Sequence, residues 1–251
     1  MSWKYLVPNG FTALSLVLGL ASVTQSAAGL YESAAWLILL GVLLDKFDGA
    51  AARMLGASSE FGAEMDSFAD FVVFGAAPAA LAFFSLTGGI VEPGEGFIGG
   101  ACAVYTLAVA IRLARFNVTE PEGGSLLFLG IPTTLCGGLF AAAWLAANSQ
   151  GVVSAVEPAI PVILITFGLM MVSNLRIPKF STRWSKPVNA FLMVNFVIAC
   201  ILIPLRMYPE YLFFLSSLYL VVGTTWATFR GEQALAADAD SLTDPGVVES
   251  R

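Results

Sequence analysis

Apolar runs of roughly 20 residues recur along the whole chain, each long enough to cross a bilayer's hydrocarbon core as a helix. They centre near residues 18, 44, 76, 107, 138, 165, 196 and 219, which predicts about eight membrane helices. The connections are short, as in "GLYESAA" around Tyr31 and "TGGIVEPGEGF" around Pro93, so the helices should form a compact bundle. The first helix is expected to begin only after Pro8 and Asn9. Its apolar run is too long for a leader's core and lacks a convincing cleavage site, so it is read as retained. The fold class is therefore all-α, a polytopic transmembrane bundle occupying residues 1–230. Residues 231–251 show no hydrophobic pattern, and the acidic side chains there predict a solvated, disordered tail.

Composition sharpens this picture. Hydrophobic residues make up 57% of the 251 and charged residues only 12%, about half the share of a soluble domain. Lys4, Arg53, Arg112, Arg115, Arg176, Lys179, Arg183, Lys186 and Arg230 fall at the N-terminus, near the even connections or in the tail. Arg206 alone falls in an odd one. That bias predicts both termini and the even connections on the cytoplasmic side of the cell membrane. The net charge of −6 comes largely from four aspartates within the helices and from the tail, and nothing points to a nucleic-acid partner. Cys102, Cys136 and Cys200 stand singly in apolar runs and read as small buried hydrophobes. With no histidine in the chain, histidine acid–base chemistry and histidine metal ligation are excluded.

The chemistry left is carried by carboxylates. Asp45 and Asp48 lie in "LLDKFDGAAAR" and Asp66 and Asp70 in "FGAEMDSFAD", inside segments expected to be membrane helices. Carboxylates at membrane depth are costly and mark functional sites. Spacings of i,i+3 and i,i+4 put each pair on one helix face. At 1.5 Å per residue, Asp45 sits about 12 Å deeper than Arg53, and Asp70 about 12 Å beyond Gly62, so both pairs reach one depth near the cytoplasmic boundary. Converging carboxylates would repel unless a divalent cation joined them. An oxygen-only ligand set favours Mg²⁺, Mn²⁺ or Ca²⁺ over Zn²⁺, and such ions hold phosphates, often in pairs. Gly49, Ala52 and Gly62 leave room beside the carboxylates, and Arg53 at the mouth suits a bidentate phosphate contact.

The register D-x-x-D-G-x-x-A-R, followed nine residues later by G-x-x-x-D-x-x-x-D, resembles the signature of the CDP-alcohol phosphotransferase family at every position. The resemblance implies a membrane transferase that displaces CMP from a CDP-linked lipid or alcohol. It implies that Asp45, Asp48, Asp66 and Asp70 gather divalent ions, Mg²⁺ or Mn²⁺ and two in number, at the CDP pyrophosphate. It further implies that Gly49, Ala52, Arg53 and Gly62 line the nucleotide pocket, that Asp70 takes the acceptor's proton, and that the enzyme is a homodimer. "PNGFT" resembles the family's first helix, so Asn9 and Thr12 border the nucleotide. A plain helix cap is the other reading of Asn9.

"SEFGAEMDSFADFVVFGAAPA" (Ser59 to Ala79), "RLARFNV" (Arg112 to Val118), "GIP" (Gly130 to Pro132) and "LMVSNLRIPKF" (Leu169 to Phe180) resemble the phosphatidylserine synthase branch. That branch implies CDP-diacylglycerol, or an ether-linked equivalent, as donor and L-serine as acceptor, in contact with the lipid bilayer. Arg112 and Arg115, spaced i,i+3, suit an acceptor's anionic group, and Asn117 adds a hydrogen bond. Membrane-end anchoring is the alternative for the two arginines. Arg176 and Lys179 form a second cationic candidate, suited to glycerol 3-phosphate or inositol phosphate as acceptor. A cation or proton transporter would instead want midplane carboxylates and inverted repeats, and the chain displays no such repeat.

Overall fold

The computed structural model describes residues 3–57, 59–90, 96–119, 127–178 and 186–225. Helices fill them: α1 (Trp3–Ala27), α2 (Tyr31–Leu55), α3 (Glu60–Thr87), α4 (Gly96–Thr119), α5 (Thr133–Ser149), α6 (Val153–Val172), α7 (Lys186–Leu205) and α8 (209–225). Among the described residues, five helices are long and apolar enough to cross a membrane: Lys4–Ala27, Glu60–Thr87, Gly96–Val118, Val153–Val172 and Val188–Leu205. The chain is thus an integral membrane protein with a polytopic helical bundle. The other three helices also lie at predicted centres. α2 has spanning length at 25 residues, but Asp45, Lys46 and Asp48 interrupt its apolar run. α5 has only 17 residues, just short of the usual span.

The first helix departs from expectation. It starts at Trp3 and runs through Pro8, so Asn9 lies inside a helix and is not its cap. Proline lacks only the N–H that would reach the carbonyl of Lys4, an exposed residue at the helix end, where water can replace the bond. The all-α expectation needs one small amendment: Leu127–Leu129 and Arg176–Pro178 pair as short antiparallel strands, with Phe128 opposite Ile177. The acidic tail, Lys179 and most of the basic sixth connection lie outside the described residues.

α2 ends on Gly56, whose left-handed conformation (φ 56°) returns its N–H to the carbonyls of Ala52 and Arg53. Three residues later Ser59 caps α3, its hydroxyl accepting from the Gly62 N–H at 3.1 Å. This short turn makes α2 and α3 antiparallel and brings the aspartate pairs to one end of the bundle.

α3 is not a uniform helix. Directly after Asp70 it widens into a π turn over Phe71–Ala76. Pro78 explains one of the bonds lost there, because it offers no N–H to the Phe74 carbonyl. The Tyr105 hydroxyl of α4 donates to that carbonyl instead, at 2.7 Å from a fully buried position. The turn is the centre of the molecule. Val73 and Phe74 are buried in it, and glycines of three surrounding helices make room. A Cβ on Gly41 of α2 would lie 2.4 Å from Val73 Cγ1. On Gly19 of α1 it would lie 2.8 Å from Val73 Cγ2, and on Gly137 of α5 3.0 Å from Phe74 Cα. Small residues permit such close helix contacts where no hydrophobic effect drives association. Trp36, Ile38, Leu81 and Leu164 complete the core around them.

Candidate active site

Asp45 and Asp48 of α2 and Asp66 of α3 meet at the end of the bundle where those helices join. One carboxylate oxygen from each lies within 4.8 Å of the others. Asp48 is 7% exposed, and its Oδ2 lies 3.0 Å from the Thr12 hydroxyl of α1. That hydroxyl is also 3.1 Å from the Pro8 carbonyl, so its single proton serves either acceptor. Lys46 Nζ sits 2.7 Å from Asp45 Oδ2, the only ion pair among the described residues. One cation already beside three gathered oxygens, with no sulfur or imidazole among the donors, fits a hard divalent metal ion.

Asp70 lies one turn beyond Asp66, beside that trio rather than within it. Its Oδ2 accepts from the Thr133 hydroxyl at 3.3 Å. Thr133 Oγ1 in turn accepts from Arg112 Nη1 of α4 at 3.4 Å. Arg112 and Thr133 are 6% and 1% exposed. A buried guanidinium thus faces the carboxylates through one intervening hydroxyl.

The remaining predicted residues fall around this centre in different ways. Arg53 folds back along α2 until its Nη1 lies 3.3 Å from where a Gly49 Cβ would stand. Asn9 reaches from α1 to α3, its Oδ1 3.2 Å from the position of a Gly62 Cβ. A methyl at either glycine would crowd these polar groups. Ala52 lies one turn along α2 from Asp48, and its carbonyl accepts the Ala57 N–H at 2.9 Å. Asn117 Nδ2 of α4 donates to Ser67 Oγ, next to Asp66, at 3.0 Å.

Arg115 does something different from Arg112. Its guanidinium donates to the carbonyls of Val172 at 2.9 Å and Ser173 at 3.2 Å, closing the C-terminal end of α6. Those bonds match the positive charge to the negative end of a helix. Gly130 packs on the same end: its N–H donates to Leu175 at 2.7 Å, and a Cβ there would fall 2.0 Å from the Met171 carbonyl oxygen. The side chain of Arg176 and the whole of Lys179 lie outside the described residues.

Sequence reasoning missed Thr133 and the partnership of Ser67 with Asn117. Threonine at the start of a helix carries no local signal beyond an ordinary helix terminus, and only tertiary packing sets it against Asp70. Lys46 was visible between the two aspartates, but spacing alone gave it no role.

A polytopic helical membrane protein with carboxylates of adjoining helices gathered for a divalent cation, and an arginine beside them, has the makings of a phosphate-transfer enzyme. The model of the CDP-alcohol phosphatidyltransferase family matches residues 5–173, and the chain belongs to that family. Among its relatives is a CDP-diacylglycerol–serine O-phosphatidyltransferase of Helicobacter pylori. It is 34% identical over 223 residues, which cover 87% of this chain and 90% of that protein. A protein of the same name from Methanocaldococcus jannaschii is 29% identical over 212 residues, 84% of this chain and 89% of that one. One from Bacillus subtilis is 35% identical over 136 residues, covering 52% and 71%.

Proposed function

We propose that this protein is a phosphatidylserine synthase, moving the phosphatidyl group of CDP-diacylglycerol to the hydroxyl of L-serine and releasing CMP. The observation that carries the reading is the trio Asp45, Asp48 and Asp66 with Asp70 beside it, in a chain aligned nearly end to end with serine phosphatidyltransferases. Divalent ions, Mg²⁺ or Mn²⁺ and two in number, would neutralise the pyrophosphate and ease departure of CMP when bound by these carboxylates. Arg53 donates its planar fork to a phosphate, while Gly49, Ala52 and Gly62 keep the nucleotide side open and Asn9 and Thr12 border it. Arg112 holds the serine carboxylate, and Asn117 supplies a further polar contact.

Asp70 accepts the proton of the serine hydroxyl. The serine oxygen then forms a bond to the lipid-side phosphorus as the bond from that phosphorus to the CMP oxygen breaks. The proton ends on Asp70 and the electron pair leaves with CMP. The charge bias of the connections supports a site and both termini on the cytoplasmic side of the cell membrane, and the family resemblance supports a homodimer.

CMP release by the purified protein tests the reading, with CDP-diacylglycerol, Mn²⁺ or Mg²⁺, and serine, glycerol 3-phosphate or inositol phosphate as acceptor. Release with serine alone is expected. Release only with a phosphorylated acceptor would keep the transferase and overturn the serine assignment. No release with a diacyl or an ether-linked donor would overturn the transferase reading itself.

A further inference from the structure

We propose that Thr133 is a positioning residue for Asp70, carrying the fixed placement of the buried Arg112 to the carboxylate that takes the acceptor's proton. This rests on the reading of Asp70 as base given above. A guanidinium can only donate, so the Thr133 oxygen must accept from Arg112 Nη1. The hydroxyl proton is thereby directed to Asp70 Oδ2. One carboxylate oxygen is held, and Oδ1 is left for the reacting hydroxyl.

The support for Thr133 is itself rigid. It opens α5 immediately after Gly130, Ile131 and Pro132, and that turn is pinned to the end of α6 at two points. Gly130 N–H donates to Leu175, and Ile131 N–H donates to Met170 at 3.3 Å. The Pro132 carbonyl accepts the N–H groups of Leu135 and Cys136, both at 3.1 Å. Arg112 approaches from α4, which packs along α6. The carboxylate is therefore fixed from α4 and α5 as well as from its own helix, directly beside the wide turn at Phe71. Without the hydroxyl, Asp70 would regain side-chain freedom at the position where alignment matters most.

Packing and hydrogen bonding at Thr133 predict opposite orders for two conservative variants. Thr133→Val keeps the volume and loses the hydroxyl, whereas Thr133→Ser keeps the hydroxyl and loses the methyl. Thr133→Val is expected to lower kcat about 10- to 100-fold while the KM for CDP-diacylglycerol stays within about twofold. Thr133→Ser is expected to retain kcat within about threefold. In both variants Mn²⁺ alone should still raise the unfolding midpoint, since the trio Asp45, Asp48 and Asp66 is untouched. A fully active valine variant, or a serine variant impaired as much as valine, overturns the proposal. If valine prevents folding, Thr133→Ala against Thr133→Ser serves instead, and equal turnover of those two overturns it. The comparison runs on whichever acceptor the wild type uses. Wild-type release with a phosphorylated acceptor therefore sinks the serine reading and leaves this one standing. Wild-type silence with every acceptor sinks both.

Discussion

Arg112 and Arg115 are alike in sequence, one helical turn apart, yet their surroundings predict different consequences of removal. Arg115→Ala deletes two charge-assisted hydrogen bonds to the closing carbonyls of α6. Each bond to a charged donor contributes about 1.5 kcal/mol at the weaker end of its range, which suits a half-exposed side chain. Ordering that long side chain costs about 1.5 kcal/mol, so the net loss should be about 1.5 kcal/mol, or roughly tenfold in the folded-to-unfolded ratio. Equilibrium unfolding in mixed micelles by SDS titration, followed by tryptophan fluorescence, measures it. The same preparation gives KM for serine and for CDP-diacylglycerol, and both should stay within about threefold of wild type. Arg112→Lys keeps the charge and loses the planar fork, and it should raise the serine KM about tenfold. An Arg115→Ala protein as stable as wild type but with a tenfold higher serine KM would refute the division. It would return Arg115 to the acceptor site.

Asp66→Asn removes an oxygen from the trio but not the fold. Turnover should fall below detection, and the Mn²⁺-induced rise in unfolding midpoint should shrink. Turnover at the wild-type rate by a correctly inserted variant would dismiss the metal clamp. Gly130→Ala should destabilise by about 3 kcal/mol, from left-handed strain at φ +75° and the displaced Leu175 bond, and SDS unfolding reads it directly.

The parts of the site legible in the sequence were those set by helical spacing. The i,i+3 and i,i+4 aspartates had to share faces, and a four-residue link containing Gly56 had to turn α3 back against α2. The number of crossings was harder to read, because the residues that define the site also lower the hydropathy of α2. The start of α1 was misplaced because proline is a poor guide where its missing N–H costs nothing. The π turn was invisible for a different reason. Its cause is shared between Pro78 on one helix, Tyr105 on another and three glycines on others, and no local window contains them all. Arg115 could not be told from Arg112 by position, since both sit near one helix end and only tertiary contacts separate them.

The segments that resemble the phosphatidylserine synthase branch are scattered over residues 59–180, yet they converge on one corner. Ser67 of the first is bonded to Asn117 of the second. Arg115 of the second closes the helix end belonging to the fourth, and Gly130 of the third is bonded to Leu175 of the fourth. Thr133, the next residue after the third segment, returns to Asp70 of the first. Each link is a hydrogen bond to backbone or between side chains, the Ser67–Asn117 one exposed, and the corner abuts Asp70. Of the residues proposed for the nucleotide side, Arg53 and Gly49 lie on α2, Asn9 and Thr12 on α1, and Gly62 on α3. A transferase has to treat its two substrates separately, binding one donor headgroup while selecting among many hydroxyls. If the family register handles the donor from α1 and α2, the corner built on α4, α5 and α6 is the part free to specialise for the acceptor. A change of acceptor would then require coordinated change in several segments, because a substitution in one loses partners in the next. This physical coupling accounts for why a branch resemblance should take the form of four separated stretches rather than one.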